Sequence, residues 1–121
     1  MSGGEAKLLG RWGEALAAEE LRRRGWRILA SGFRCRFGEI DLIARSREGI
    51  LCFVEVKTRT SRRFSVPREA VTAAKQRRLR TTAAYYLAQT GQGECPCRFD
   101  VAEVYLVPER EPTINYIADA F

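Results

Sequence analysis

The sequence has no histidine, a single methionine, and no apolar run near the ~20 residues that a membrane-spanning helix needs. Without histidine the chain lacks the usual neutral-pH general base and the commonest zinc ligand. Phosphodiester hydrolysis assisted by a carboxylate-bound metal and a lysine needs no histidine. The N-terminus carries no apolar core of the kind found in export signals, so the expected location is cytoplasmic. Cysteine is sparse: Cys35, Cys52, Cys95 and Cys97 form no C-x-x-C pair, which argues against a zinc module, and a cytoplasmic setting argues against disulfides. Cys52 reads as strand core and Cys95-Pro96-Cys97 as a loop.

Acidic charge is missing from one stretch in particular. Between Thr58 and Arg80 stand Arg59, Arg62, Arg63, Arg68, Lys75, Arg77, Arg78 and Arg80 against one acid, Glu69. A formal net charge of +6 concentrated in this way suits a polyanion partner, because neutralising phosphates releases counterions; a plain solvated basic face is the alternative. The remaining composition is that of an ordinary globular protein, 45% hydrophobic and 30% charged, and 121 residues suffice for one domain spanning residues 1–121.

Periodicity orders the elements. Glu5 to Arg24 reads as a helix with Leu9, Trp12, Leu16 and Leu21 near one face, stopped by Gly25. Trp26 to Ala30 reads as a strand and the polar, basic stretch Ser31 to Phe37 as a loop. Two strands follow, Glu39 to Arg45 and Ile50 to Thr58, joined through Arg47-Glu48-Gly49 as a tight hairpin. If Ser46 pairs with Ile50, then Ile43 faces Phe53, Leu42 meets Val54 and Ile40 meets Val56, so apolar residues match apolar residues throughout. A short helical turn over Pro67 to Val71 precedes a helix from Ala73 to Gln89 capped by Thr72, with Leu79, Ala83, Tyr86 and Leu87 on its apolar side. Arg98 to Leu106 and Thr113 to Ala118 return as strands. The order predicts an α/β mixed sheet flanked by helices.

The hairpin register carries the chemistry. It places Asp41 opposite Glu55 and Glu39 opposite Lys57, all four on one face. Opposed carboxylates at such range repel unless a positive charge lies between them, and Mg²⁺ characteristically binds through one or two carboxylates together with phosphate oxygens and water. Asp41 interrupts Ile40-Leu42-Ile43, and Glu55 and Lys57 extend the apolar run Leu51-Cys52-Phe53-Val54, where unshared charge is costly. Asp41 and Glu55 are thus the candidate metal ligands and Lys57 the candidate phosphate partner; a simple Glu39–Lys57 ion pair on an exposed face is the other reading. Glu14 is either a further metal-side carboxylate or a helix-surface charge. Lys75 either reaches phosphate or is solvated. Arg59 is suited to positioning backbone phosphate, with Arg62, Arg63 and Arg78 as further nucleic-acid contacts. Asp100 receives no catalytic role, and Trp12, Trp26 and Tyr85 read as core.

The ordered motifs G-R-W-G-E-A-L-A (Gly10 to Ala17), G-E-I-D-L-I (Gly38 to Ile43), F-V-E-V-K-T-R (Phe53 to Arg59), E-A-V-T-x-x-K (Glu69 to Lys75), R-F-D-V (Arg98 to Val101) and the terminal Ala120-Phe121 together resemble the bacterial YraN family over nearly the whole chain. The resemblance implies a restriction-endonuclease-like fold with a PD-(D/E)XK site, related to archaeal Holliday-junction resolvases. Asp41 would be the motif acid, Glu55 and Lys57 the E-x-K pair, and Glu14 the helix acid of the resolvase-like group. Ile40 stands where the motif's name has proline, and Phe64-Ser65-Val66 stands where relatives often carry glycine. The expected function is a nuclease using Mg²⁺ (or Mn²⁺) on structured or branched DNA; a non-catalytic nucleic-acid-binding module and a structural adaptor are the competing classes. The resolvase analogy also raises a homodimer presenting two sites.

Overall fold

A computed structural model of the chain describes residues 3–60 and 71–121. The elements are α1 (Gly3–Arg23), β1 (Arg27–Cys35), β2 (Gly38–Arg45), β3 (Leu51–Arg59), α2 (Ala73–Gln89), β4 (Cys97–Tyr105) and β5 (Thr113–Ile117). The strands form one mixed sheet in the order β1-β2-β3-β4-β5; only β3 and β4 run parallel, with α2 as their connection. No described helix is long and apolar enough to cross a membrane. Arg62, Arg63 and most of the turn expected over Pro67 to Val71 lie outside the described residues.

Local chemistry explains the boundaries. At the end of α1, Gly25 adopts φ +83, its N–H bonds to the Arg22 carbonyl, and the Trp26 N–H reaches back to Leu21, the pattern of a left-handed helix stop. Thr72 caps α2 by accepting from the Lys75 N–H at 3.1 Å. From Leu42 to Arg45 the β2–β3 register is the one expected, Leu42 pairing with Val54, Ile43 with Phe53, Ala44 with Cys52 and Arg45 with Leu51, but the expected Ile40–Val56 and Asp41–Glu55 ladder pairs do not form.

Each face of the sheet buries its own core. Ala17, Ala18 and Leu21 of α1 pack on Leu42, Ala44, Cys52, Val54 and Val104. Leu79, Ala83 and Tyr86 of α2 pack on Ile43, Leu51, Phe53 and Phe99 across the sheet. Phe53 stacks with Phe99, which stacks in turn with the terminal Phe121.

Two expectations need correction. The stretch Ser31 to Phe37 is not a loop throughout: β1 continues to Cys35, pairing Phe33 with Ile40 and Arg34 with Glu39. Its strand character comes from the backbone of β2 rather than from its own polar pattern. Trp12 is not core. It is 51% exposed and, with Leu8 four residues earlier, points away from the sheet.

Candidate metal centre

The site begins where the β2–β3 ladder ends. Beyond Leu42 and Val54 the two strands no longer pair. In a continued ladder the Val56 N–H would donate to the Ile40 carbonyl; here it donates instead to Asp41 Oδ2 at 2.8 Å. The carboxyl has entered the space between the strands. Opposite it in β1 stands Gly32 at φ +71, lying between the pairs Ser31–Leu42 and Phe33–Ile40. Strict alternation would set Ile40 on the α1 side with Leu42, yet Ile40 packs in the α2-side core. The face switch at Gly32 and Asp41 opens the sheet at this point.

Glu55, 8% exposed, follows on β3. Its Oε2 lies 3.0 Å from Lys75 Nζ and its Oε1 3.9 Å from Lys57 Nζ. Burial pushes the Asp41 carboxyl up to about 8, helped by the Glu55 charge and a hydrogen bond shared with the Glu55 carboxyl, against the lowering effect of the Val56 N–H. Burial also pushes Lys57 down from the ordinary lysine range, against the attraction of Glu55. For Lys75, burial is the largest influence and lowers its value, but Glu55 outweighs it and the net shift is upward.

Glu14 arrives from α1. Gly13 permits this approach: a Cβ there would sit 2.1 Å from Thr58 Oγ1, so only glycine lets the helix come so close to β3. The Glu14 carboxyl is raised by burial first, then by the charges of Glu39 and Glu55. It belongs to the same electrostatic neighbourhood, but among the described residues no three His, Cys, Asp or Glu side chains converge as a ligand set. Asp41 and Glu55 are therefore the close pair, with Glu14 behind them.

The expected Glu39–Lys57 opposition does not form, because the strands have already separated. Glu39 pairs with Arg34 at 2.9 Å and Lys57 turns to Glu55. Arg59 lies away from the acids, its Nη2 3.7 Å from Glu103 Oε2. Glu103 is fully buried and accepts from Asn115 Nδ2 at 2.9 Å, while its Oε2 and the Arg59 Nε and Nη2 make no hydrogen bond among the described residues. In the sequence Glu103 is marked only as an acid inside the apolar run Val101-Ala102-Val104.

Two clefts meet at Asp41 and Glu39. One, of about 240 Å³, lies under α2 and is lined by Gly38, Glu55, Lys75, Arg78, Leu79 and Thr82 as well as the two shared acids. The other lies toward α1 and adds Lys7, Arg11, Glu14 and Arg34. Basic side chains thus border the acids from both sides of the sheet. Lys7 and Arg34 lie in no motif, and Arg11 stands in G-R-W-G-E-A-L-A with nothing to single it out; the fold brings all three here.

The chain's residues 13–104 match the Uncharacterised protein family UPF0102. The chain belongs to the UPF0102 family. It is 52% identical to a UPF0102 protein of Symbiobacterium thermophilum over 116 residues, covering 96% of this chain and 98% of that one. It is 49% identical to a relative from Chlorobium chlorochromatii, covering 93% and 90%, and 43% identical to one from Trichlorobacter lovleyi, covering 93% and 89%. UPF0102 is the family to which the YraN-like motifs pointed. The match takes in Gly13, Glu14, Asp41, Glu55, Lys57 and Lys75 alike.

Proposed function

We propose that this UPF0102 chain is a metal-dependent nuclease that hydrolyses phosphodiester bonds in structured or branched DNA, with a restriction-endonuclease-like PD-(D/E)XK site. The observation that carries this reading is the Asp41–Glu55 carboxyl pair, held together in a gap of the sheet and bordered by cations on both sides. A buried pair that holds Asp41 protonated up to about 8 is short of positive charge, and its all-oxygen donors fit Mg²⁺ or Mn²⁺ rather than a thiophilic metal.

A bound dication would supply Lewis-acid polarisation of a phosphoryl oxygen and a water of lowered pKa. The chain's own residues do the rest. Asp41 and Glu55 would hold the ion, and the Val56 N–H fixes the Asp41 carboxyl in its place between the strands. Lys57 and Lys75 stand where ammonium groups can donate to a phosphate as negative charge builds on it. Arg11, Lys7 and Arg78 hold the flanking backbone in the two clefts. Glu14 tunes the field of the pair and would be a further carboxylate on the metal side.

Cleavage of junction, flap, linear and RNA substrates with Mg²⁺ or Mn²⁺ tests the reading. Metal-dependent nicking is expected from the native chain, with a loss of about 10²–10³-fold or more in Asp41→Asn and Glu55→Gln. Nicking that survives both substitutions unchanged would overturn it. One observation favours a second reading, a nucleic-acid-binding module that does not cleave: both Glu55 oxygens already have lysine neighbours, so the acids are partly neutralised without metal. That reading expects salt-sensitive DNA binding, persistence of binding in Lys57→Ala, and no nicking with either metal.

A further inference from the structure

Beyond the acid site, the turn between β1 and β2 carries an aromatic ring, Phe37. Phe37 leans on Tyr85 of α2, ring centroids 5.7 Å apart at 61°, and the Arg36 guanidinium lies 4.8 Å over the Phe37 ring. Phe37 lines a separate pocket together with Ala74, Arg77, Arg78 and Thr81. The Thr81 hydroxyl is turned back on the Arg77 carbonyl at 3.0 Å, so it offers no free donor to that space. Among the described residues no carboxylate lines the pocket, and Arg77 and Arg78 form no ion pair. A ring, two small side chains and two free guanidiniums make a poor peptide site. They suit a flat, electron-rich heterocycle attached to phosphate.

Arg78 also lines the acidic cleft. Arg78 therefore borders both spaces, and an occupant of the Phe37 pocket sits next to whatever phosphate lies at Asp41 and Glu55. We infer that the Phe37 pocket is a nucleotide subsite that stacks an unpaired DNA base neighbouring the phosphate held at the acid pair. A base inside a duplex has both faces covered by its neighbours; only an unpaired one has a face to give. The inference rests on the nuclease reading and narrows its substrate to DNA with a single-stranded nucleotide beside the cleavage point, as at a fork or flap.

Forked DNA with one 2-aminopurine moved stepwise through the unpaired arm, titrated with the full chain in metal-free buffer, tests this. At one position the native chain is expected to change the 2-aminopurine fluorescence by stacking. Phe37→Ala should abolish that change and weaken fork binding about tenfold or more, leaving blunt-duplex binding unaltered. Phe37→Trp should keep both the signal and the affinity, which separates stacking from mere folding. Equal weakening on fork and duplex, or a signal that survives Phe37→Ala, would overturn the subsite. If the fork is bound and cut alike by native chain and Phe37→Ala, the subsite fails while the nuclease reading stands. If the native chain binds no DNA in any form, both fail.

Discussion

Asp100 and Asp41 are both drawn into the fold, and their surroundings are opposite in kind. Asp100 on β4 is fully buried and saturated: Arg98 Nε donates at 3.0 and 3.1 Å, the Tyr116 hydroxyl at 2.5 Å and the Asp119 N–H at 2.8 Å. Trp26 stacks under Arg98 and packs edge-on against Tyr116, closing the cluster. Asp41 has one backbone N–H, a second carboxyl beside it and a third behind. The first arrangement ties β5 and the C-terminal turn to the sheet. Among the described residues the second crowds acids together with only two lysines, both beside Glu55, to relieve them. Burial alone does not separate a structural acid from a functional one; the balance of donors around it does.

The largest effect is expected where the donors are complete. Asp100→Ala leaves the Arg98 guanidinium and Tyr116 hydroxyl without their acceptor, a loss of about 3–5 kcal/mol by analogy with broken buried pairs. Denaturant unfolding measures it directly. A change below about 1 kcal/mol would mean that Asp100 does not anchor β5, and the comparison would lose its structural half.

The acid pair should behave the other way. In metal-free buffer the folded state holds Asp41 protonated up to about 8, far above the 3.8 of an ordinary aspartate, through burial and the Glu55 charge. A raised carboxyl favours the folded state fully below about pH 4, and that contribution is lost as pH rises toward 8. The native chain should therefore lose stability relative to Asp41→Asn across that window, as unfolding curves at several pH values would reveal. Saturating Mg²⁺ should reverse the order, stabilising the native chain by about 2.7 kcal/mol at a hundredfold excess over its Kd and leaving Asp41→Asn little changed. Equal Mg²⁺ stabilisation of both chains would move the ion elsewhere.

The contrast also explains what was legible before any coordinates. Helix α2 and its Thr72 cap were readable because capping and apolar spacing are local. The β2–β3 register was readable because only one alignment matches its apolar residues. The site was half readable. Two acids inside apolar strands announced themselves, but the splaying at Asp41 depends on Gly32 of β1, a strand whose residues are polar enough to resemble a loop. Hence the Glu39–Lys57 opposition was expected and not formed. Trp12 was assigned to the core on helical spacing, yet the inner face of α1 is set by Gly13, Ala17 and Leu21 instead. Asp100 looked ordinary because, Arg98 apart, its partners Tyr116 and Asp119 come from β5 and the turn after it, which no local pattern links to Arg98-Phe99-Asp100.

The smallest effect sharpens the comparison most. Lys75 lies 3.0 Å from Glu55 and is one-third exposed, so its ammonium both relieves the acid pair and competes with any dication for the same oxygen. A partly exposed pair of this kind contributes at most about 1 kcal/mol. Lys75→Met should therefore tighten Mg²⁺ binding, as calorimetry would read it, by no more than about fivefold. It should also weaken DNA binding in low salt, since the same ammonium faces the cleft that takes phosphate. No such competition exists at Asp100, whose donors are all fixed by the fold. If Lys75→Met instead weakened Mg²⁺ binding, the lysine would be organising the carboxyl pair, and the acid site would resemble the Asp100 cluster more closely than its geometry suggests.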